Sequence, residues 1–137
     1  MKTPTPLPAL EQFRYQIRRF IDFSRSAARA AGLAPQQHQM LLVLASGECG
    51  PQPSIRSLSR RLLLNHNSTV ELLNRLERKG LARRVRQTGD RRQVCVRITP
   101  RGRRILDRLT RHHLEELRTA GPELVRALQA AIRGARR

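Results

Sequence analysis

One stretch of this chain alternates with a period of two. In "QVCVRIT", Val94, Val96 and Ile98 point one way and Gln93, Cys95 and Arg97 the other, as in a strand with one apolar face. Its partner is the weaker run "LARRVRQ". "TGDR" between them carries hairpin-turn chemistry, with Gly89 free to take a positive φ. Elsewhere the apolar residues recur at three and four, the spacing of helices. The chain is therefore expected to be mainly α with one small β-hairpin.

The helices follow from their stripes and their ends. Residues 1 to 8 hold three prolines and predict an irregular arm. From about Leu10 to Ala31 a helical stripe runs through Phe13, Ile17, Phe20, Ile21 and Ala28, and Gly32 closes it. Pro35 suits the first turn of a second helix, about 35–46. "SGECGPQPS" is a loop. Ser54 can cap a short third helix with Ile55, Leu58 and Leu62 on one face. After the tight connection "LLN", Asn65 can cap a fourth helix from about His66 to Lys79, with Gly80 just past its end. Thr99 caps a long helix that opens on Pro100 and carries Ile105, Leu106, Leu109, His113 and Leu117. "AGPE" predicts a break, with Pro122 restarting a last helix through Leu124, Val125, Leu128 and Ile132. The third and fourth helices form a helix-turn-helix, and the hairpin directly after them makes it winged. We expect a single domain over 1–137. Its winged helix-turn-helix covers about 35–99, between helices of about 10–31 and 100–134.

Charge narrows the function. Lys and Arg number 28 against 10 Asp and Glu, a net of +18. Lys2 and Lys79 are the two lysines and the other 26 are Arg, whose planar fork suits phosphate and guanine edges. Such a balance argues for a polyanionic partner. Between Arg75 and Arg104 stand twelve basic residues and two acids, Glu77 and Asp90. The field is thus concentrated on the fourth helix, the hairpin and the start of the next helix, as expected for phosphate contacts.

On the fourth helix, Thr69, Leu72, Leu73 and Leu76 share one side. Asn67, Glu71, Asn74 and Arg78 lie opposite, with Ser68, Val70 and Arg75 on the flanks. That outer face mixes amide, hydroxyl, carboxylate, guanidinium and a small apolar group, the chemical range that reads base edges in a major groove. His66 opens the helix and is a candidate phosphate contact. Arg56, Arg60 and Arg61 on the third helix are candidate backbone contacts, and Arg86, Arg91 and Arg92 on the hairpin are candidate minor-groove contacts. Asp90 would accept from a neighbouring Arg and fix its direction.

These residues resemble the MarR (multiple antibiotic resistance regulator) family of bacterial transcription factors. The resemblance rests on "STVELLNRLERKGLARR" followed by "DRRQVCVRITPRG". The family's "RLE-x-x-GL" appears as Arg75–Leu76–Glu77 with Gly80–Leu81. Its "D-x-R" appears as Asp90 with Arg92, and its "LT-x-x-G" as Ile98–Thr99 with Gly102. "GLAPQQHQMLLVL" is similar to its second helix, with Ala34 where a Thr or Ser usually stands. The resemblance covers about residues 10 to 134. It implies an obligate homodimer joined by the first and last two helices, with two recognition helices in successive major grooves of a pseudo-palindromic operator. It also implies a repressor released by a small aromatic or anionic effector. Long apolar stripes on a chain with 39% apolar and 3% aromatic residues call for a second copy independently.

Other chemistry is expected to be absent. His38, His66, His112 and His113 show no zinc spacing, and two cysteines make neither a disulfide framework nor a Cys-based metal site. His113 is expected to be packed or at an interface. Some relatives sense oxidants through a Cys in the first helix. Here the cysteines are Cys49, in a loop, and Cys95, in a strand. Arg14, Tyr15, Arg18 and His38 could line an effector cavity beside the dimer helices. There is no nucleophile triad, phosphate-binding glycine loop or carboxylate pair, so we expect no enzyme and no cofactor. No apolar run reaches the ~18 residues of a membrane span. With Pro where a signal peptide would be apolar, the chain reads as cytoplasmic. The competing readings are a nonspecific or architectural nucleic-acid binder and a scaffold for an acidic protein.

Overall fold

The structure is a computed structural model, and it describes residues 5–86 and 94–136. The order is α1 (Leu7–Ala30), α2 (Pro35–Ser46), α3 (Ile55–Leu62), α4 (His66–Arg78), β1 (Ala82–Arg86), β2 (Val94–Ile98) and α5 (Pro100–Ala135). The strands pair antiparallel, with Ala82 opposite Ile98 and Arg86 opposite Val94. This is the expected mainly helical fold with a β-hairpin wing.

Three expectations are corrected. First, α1 starts at Leu7, inside the arm read as irregular. Pro8 falls in the first turn, where a missing N–H costs the helix nothing. Second, "AGPE" does not interrupt the chain: α5 is one helix of 36 residues with Pro122 inside it. Pro122 withholds one donor from the Arg118 carbonyl, and Gly121 before it has no Cβ to clash with the ring. Third, the face of β2 read as polar is buried at Cys95, while Val94 is half exposed. The Val96 N–H donates to Pro53 O at 2.8 Å, so the edge of β2 away from β1 is covered by the segment entering α3.

The chain divides into two compact units, residues 1–27 with 110–137 and residues 28–109. The second holds a dense core: Met40, Leu41, Leu58, Leu73 and Leu76 are wholly buried, joined by Leu81, Val96 and Leu106. Here α4 packs on α3 and on β1 beyond its end, with Leu72, Leu73 and Leu76 buried. The first unit is thin. Its buried apolar residues among those described are Ala27 and Ala127, with Gln16 and His113 beside them. His113 lies against Phe20 and Phe23 at 6.0 and 5.3 Å between ring centroids, and its Nε2 is 2.8 Å from Ser24 Oγ. The same unit leaves Leu7, Leu10, Ile17, Ile21, Leu114, Val125, Leu128 and Ile132 exposed.

Candidate nucleic-acid interface

Both ends of α4 are fixed by side-chain and backbone bonds. Asn65 Oδ1 accepts the Ser68 N–H at 2.7 Å, the cap its position implies. At the other end Gly80 takes φ +73°, its N–H donates to Glu77 O, and the Leu81 N–H donates to Leu76 O. That pair of bonds is a Schellman closure, which the left-handed glycine makes free of Cβ strain. Between them the Thr69 and Ser59 hydroxyls lie 2.8 Å apart, linking α4 to α3 under the apolar contact. Ser54 caps α3 by accepting the Ser57 N–H at 3.0 Å.

Residues 65–78 leave a continuous outer face. His66, Asn67, Ser68, Glu71, Arg75 and Arg78 are exposed, Val70 and Asn74 are half-buried, and Thr69, Leu72, Leu73 and Leu76 are buried. The buried side is the one read from the sequence, while Asn74, expected opposite it, is half-buried. Arg56, Arg60 and Arg61 are exposed on α3. Arg61 lies 3.8 Å from Glu48, an exposed pair that is weak in water and easily given up to a phosphate. Arg86 is exposed at the end of β1. Asp90, Arg91 and Arg92 lie outside the described residues.

Some of the basic residues counted in this region serve the fold. Arg84 pairs with Glu77 through its guanidinium, and its backbone N–H donates to the second carboxylate oxygen at 3.3 Å. The pair ties the last turn of α4 to β1 and so sets where the hairpin leaves the helix. Lys79 Nζ donates to Gly32 O at 2.9 Å and Gln37 Oε1 at 2.8 Å, holding the end of α4 to the turn before α2. Gln37 Oε1 also accepts the Ala34 N–H at 3.0 Å, half of a capping box whose other half Ala34 cannot supply. In the sequence Lys79 and Arg84 are indistinguishable from the other cations of this region. Seven residues across a turn carry no periodic signal, so the Glu77–Arg84 pair was visible only as one acid among many arginines.

Arg83 and Arg97 stand directly opposite in the hairpin, both exposed. Like charges so placed repel and weaken the strand pair. The first turn of α5 likewise has no acid and carries Arg101 and Arg103 at the positive end of the helix dipole. Both arrangements disfavour the isolated protein, the second less so because Arg103 pairs with Asp107 at 2.9 Å, and an external anion would relieve them.

Arg14, Tyr15 and Arg18 are exposed on α1, with Arg18 paired to Glu11 at 3.1 Å, and His38 is buried on α2 in the other unit. The first unit contains a cleft of about 350 Å³ lined by Phe20, Phe23, Leu117 and Leu124 with Gln16 and Asp22. None of the four suggested effector residues lines it. Among the described residues no group of three or more His, Cys, Asp or Glu is placed to hold a metal, and no helix is long and apolar enough to cross a membrane.

Residues 31–93 match the sequence model of the MarR family. A protein of Thauera aromatica named for transcriptional regulation of the hcr operon is 34% identical over 96 residues, 70% of this chain and 56% of that protein. The HTH-type transcriptional regulator PecS of Dickeya dadantii is 35% identical over 57 residues, 42% of this chain and 34% of that protein. The chain thus spans about half the length of the first of these relatives and a third of the second. Among solved structures, a MarR family protein from Bacillus stearothermophilus superposes with a TM-score of 0.75 at 21% identity, covering 99% of this chain and 96% of its own. AbsC from Streptomyces coelicolor, a MarR family transcriptional regulator, gives 0.75 at 20% identity over 90% and 83%. A variant of MepR from Staphylococcus aureus, bound to an oligodeoxyribonucleotide, gives 0.69 at 17% identity over 91% and 95%.

Proposed function

We propose that the chain is a MarR family member, as the match of residues 31–93 and the Thauera aromatica relative support, and that it is a sequence-specific, DNA-binding transcriptional regulator acting as a homodimeric repressor. The observation that carries this reading is the outer face of α4, where base-reading groups are exposed or half-exposed on a helix locked at both ends. Asn67 and Asn74 suit adenine, Arg75 and Arg78 guanine, Glu71 cytosine, and Val70 a thymine methyl. His66 and Ser68 complete the contact at the helix start. Arg56, Arg60 and Arg61 hold phosphates. Arg86, Asp90, Arg91 and Arg92 form the wing contact in the neighbouring minor groove. MepR, of the same fold, binds an oligodeoxyribonucleotide.

The dimer is supported by the first unit, whose exposed apolar residues on α1 and α5 outnumber its buried ones. A second copy would cover them and set two α4 helices about one helical turn apart. A small aromatic or anionic effector that lowers DNA affinity completes the reading, with Arg14, Tyr15, Arg18 and His38 as its candidate contacts. No catalysis or cofactor enters it, and its place is the cytoplasm.

The test is selection of bound fragments from the source genome by the purified protein, followed by footprinting. The expected result is a pseudo-palindromic site bound with a steep salt dependence. Uniform binding to every duplex would favour the nonspecific, architectural alternative instead.

A further inference from the structure

Leu63 is the one non-glycine residue described with a positive φ, at +57°. It ends α3: its N–H donates to Arg60 O at 3.3 Å, and the next N–H, of Leu64, reaches Ser59 O at 3.0 Å. The turn needs a left-handed residue at this point, and glycine meets that need without steric cost. The leucine side chain gives the fold nothing in return, because Leu63 is 90% exposed, more than any other large apolar residue described. A branched apolar side chain is thus held in water on a backbone that disfavours it.

Its place in the chain indicates what it touches. Exposed Arg60 and Arg61 precede it, and exposed His66 and Asn67 follow within one turn. Side chains of a helix lean toward its N-terminus, so the first residues of α4 incline toward Leu63. The helix start also draws phosphate. An apolar tip within a rim of cations and hydrogen-bonding groups suits the C5-methyl of thymine, the base feature in the major groove that a hydrocarbon side chain can read.

We propose that Leu63 is a specificity-determining residue that packs on a thymine methyl at the edge of each half-site. This rests on the DNA-binding reading above. The test is a thymine-to-deoxyuridine scan across the selected operator, which removes one methyl at a time, with the wild-type chain and the Leu63→Gly and Leu63→Asn variants. Both replacements accept the left-handed backbone and lack the apolar arm. The wild type is expected to lose about fourfold in affinity at one symmetric pair of positions per methyl removed, the ~0.8 kcal/mol of a buried methylene-sized group. Both variants are expected to melt no lower than wild type, bind the unmodified operator more weakly and be indifferent to uracil at those positions. A scan identical in wild type and variants overturns the contact while leaving the DNA-binding reading intact. Failure of the wild type to prefer any site overturns that reading and this one with it.

Discussion

At the scale of single residues the structure gives reasons for particular letters. Gly102 is buried in the first turn of α5, and a Cβ there would run into the Leu81 carbonyl and the Ile98 side chain. No small shift of a flexible tip resolves a clash with backbone. Gly102→Ala is therefore expected to lower stability by about 1–3 kcal/mol in a denaturant titration, and an unchanged midpoint would contradict this packing. Asn65 is tied to α4 by one hydrogen bond to Ser68. Asn65→Ala is expected to cost ~1 kcal/mol while Asn65→Asp costs far less, since both Asn and Asp cap well. The outward residues of α4 were legible because a 100° turn per residue separates two chemistries cleanly. The polar roles of Lys79 and Arg84 were not, because their partners are reached through turns and not through periodicity.

At the scale of elements the lesson is about what proline and alternation can tell. Pro8 was read as part of an arm and Pro122 as a break, and both lie inside helices. A proline forbids one donor and crowds the preceding turn. Near an N-terminus, or after a residue without a Cβ, that penalty is small enough for the helix to continue. Pro122→Ala should then restore a backbone bond within α5 and stabilise the protein by less than the ~3 kcal/mol that an interior proline ordinarily costs, seen as a higher melting temperature. A loss of stability would point to an interrupted helix. In β2 the alternation was real, but burial on it also depends on what packs against the strand, and neither the contact with α2 nor the edge bond to Pro53 is visible from spacing. The Glu77–Arg84 pair joins α4 to the wing. It is a third exposed, so Glu77→Gln is expected to change global stability by less than about 1 kcal/mol. It should weaken operator binding more than it lowers the melting temperature, by letting the hairpin leave α4 at other angles. Equal loss in both measurements would make the pair a purely structural one.

At the scale of the whole molecule two properties stand out, the +18 charge and the uneven distribution of core between the two units. A unit whose described buried residues are two alanines, a glutamine and a histidine, with leucines and isoleucines in water, is incomplete as a free monomer. Sedimentation should find a dimer that persists on dilution, and a stable folded monomer would remove the two-fold geometry from the account. The charge alone would bind any nucleic acid, so affinity by itself says little. What separates reading from sticking is the ratio of affinities for a selected site and a scrambled duplex of equal length. Measured by competition at physiological salt, that ratio is expected to be on the order of 10³ or more. Equal affinity for both duplexes would contradict the claim that the outer face of α4 reads sequence.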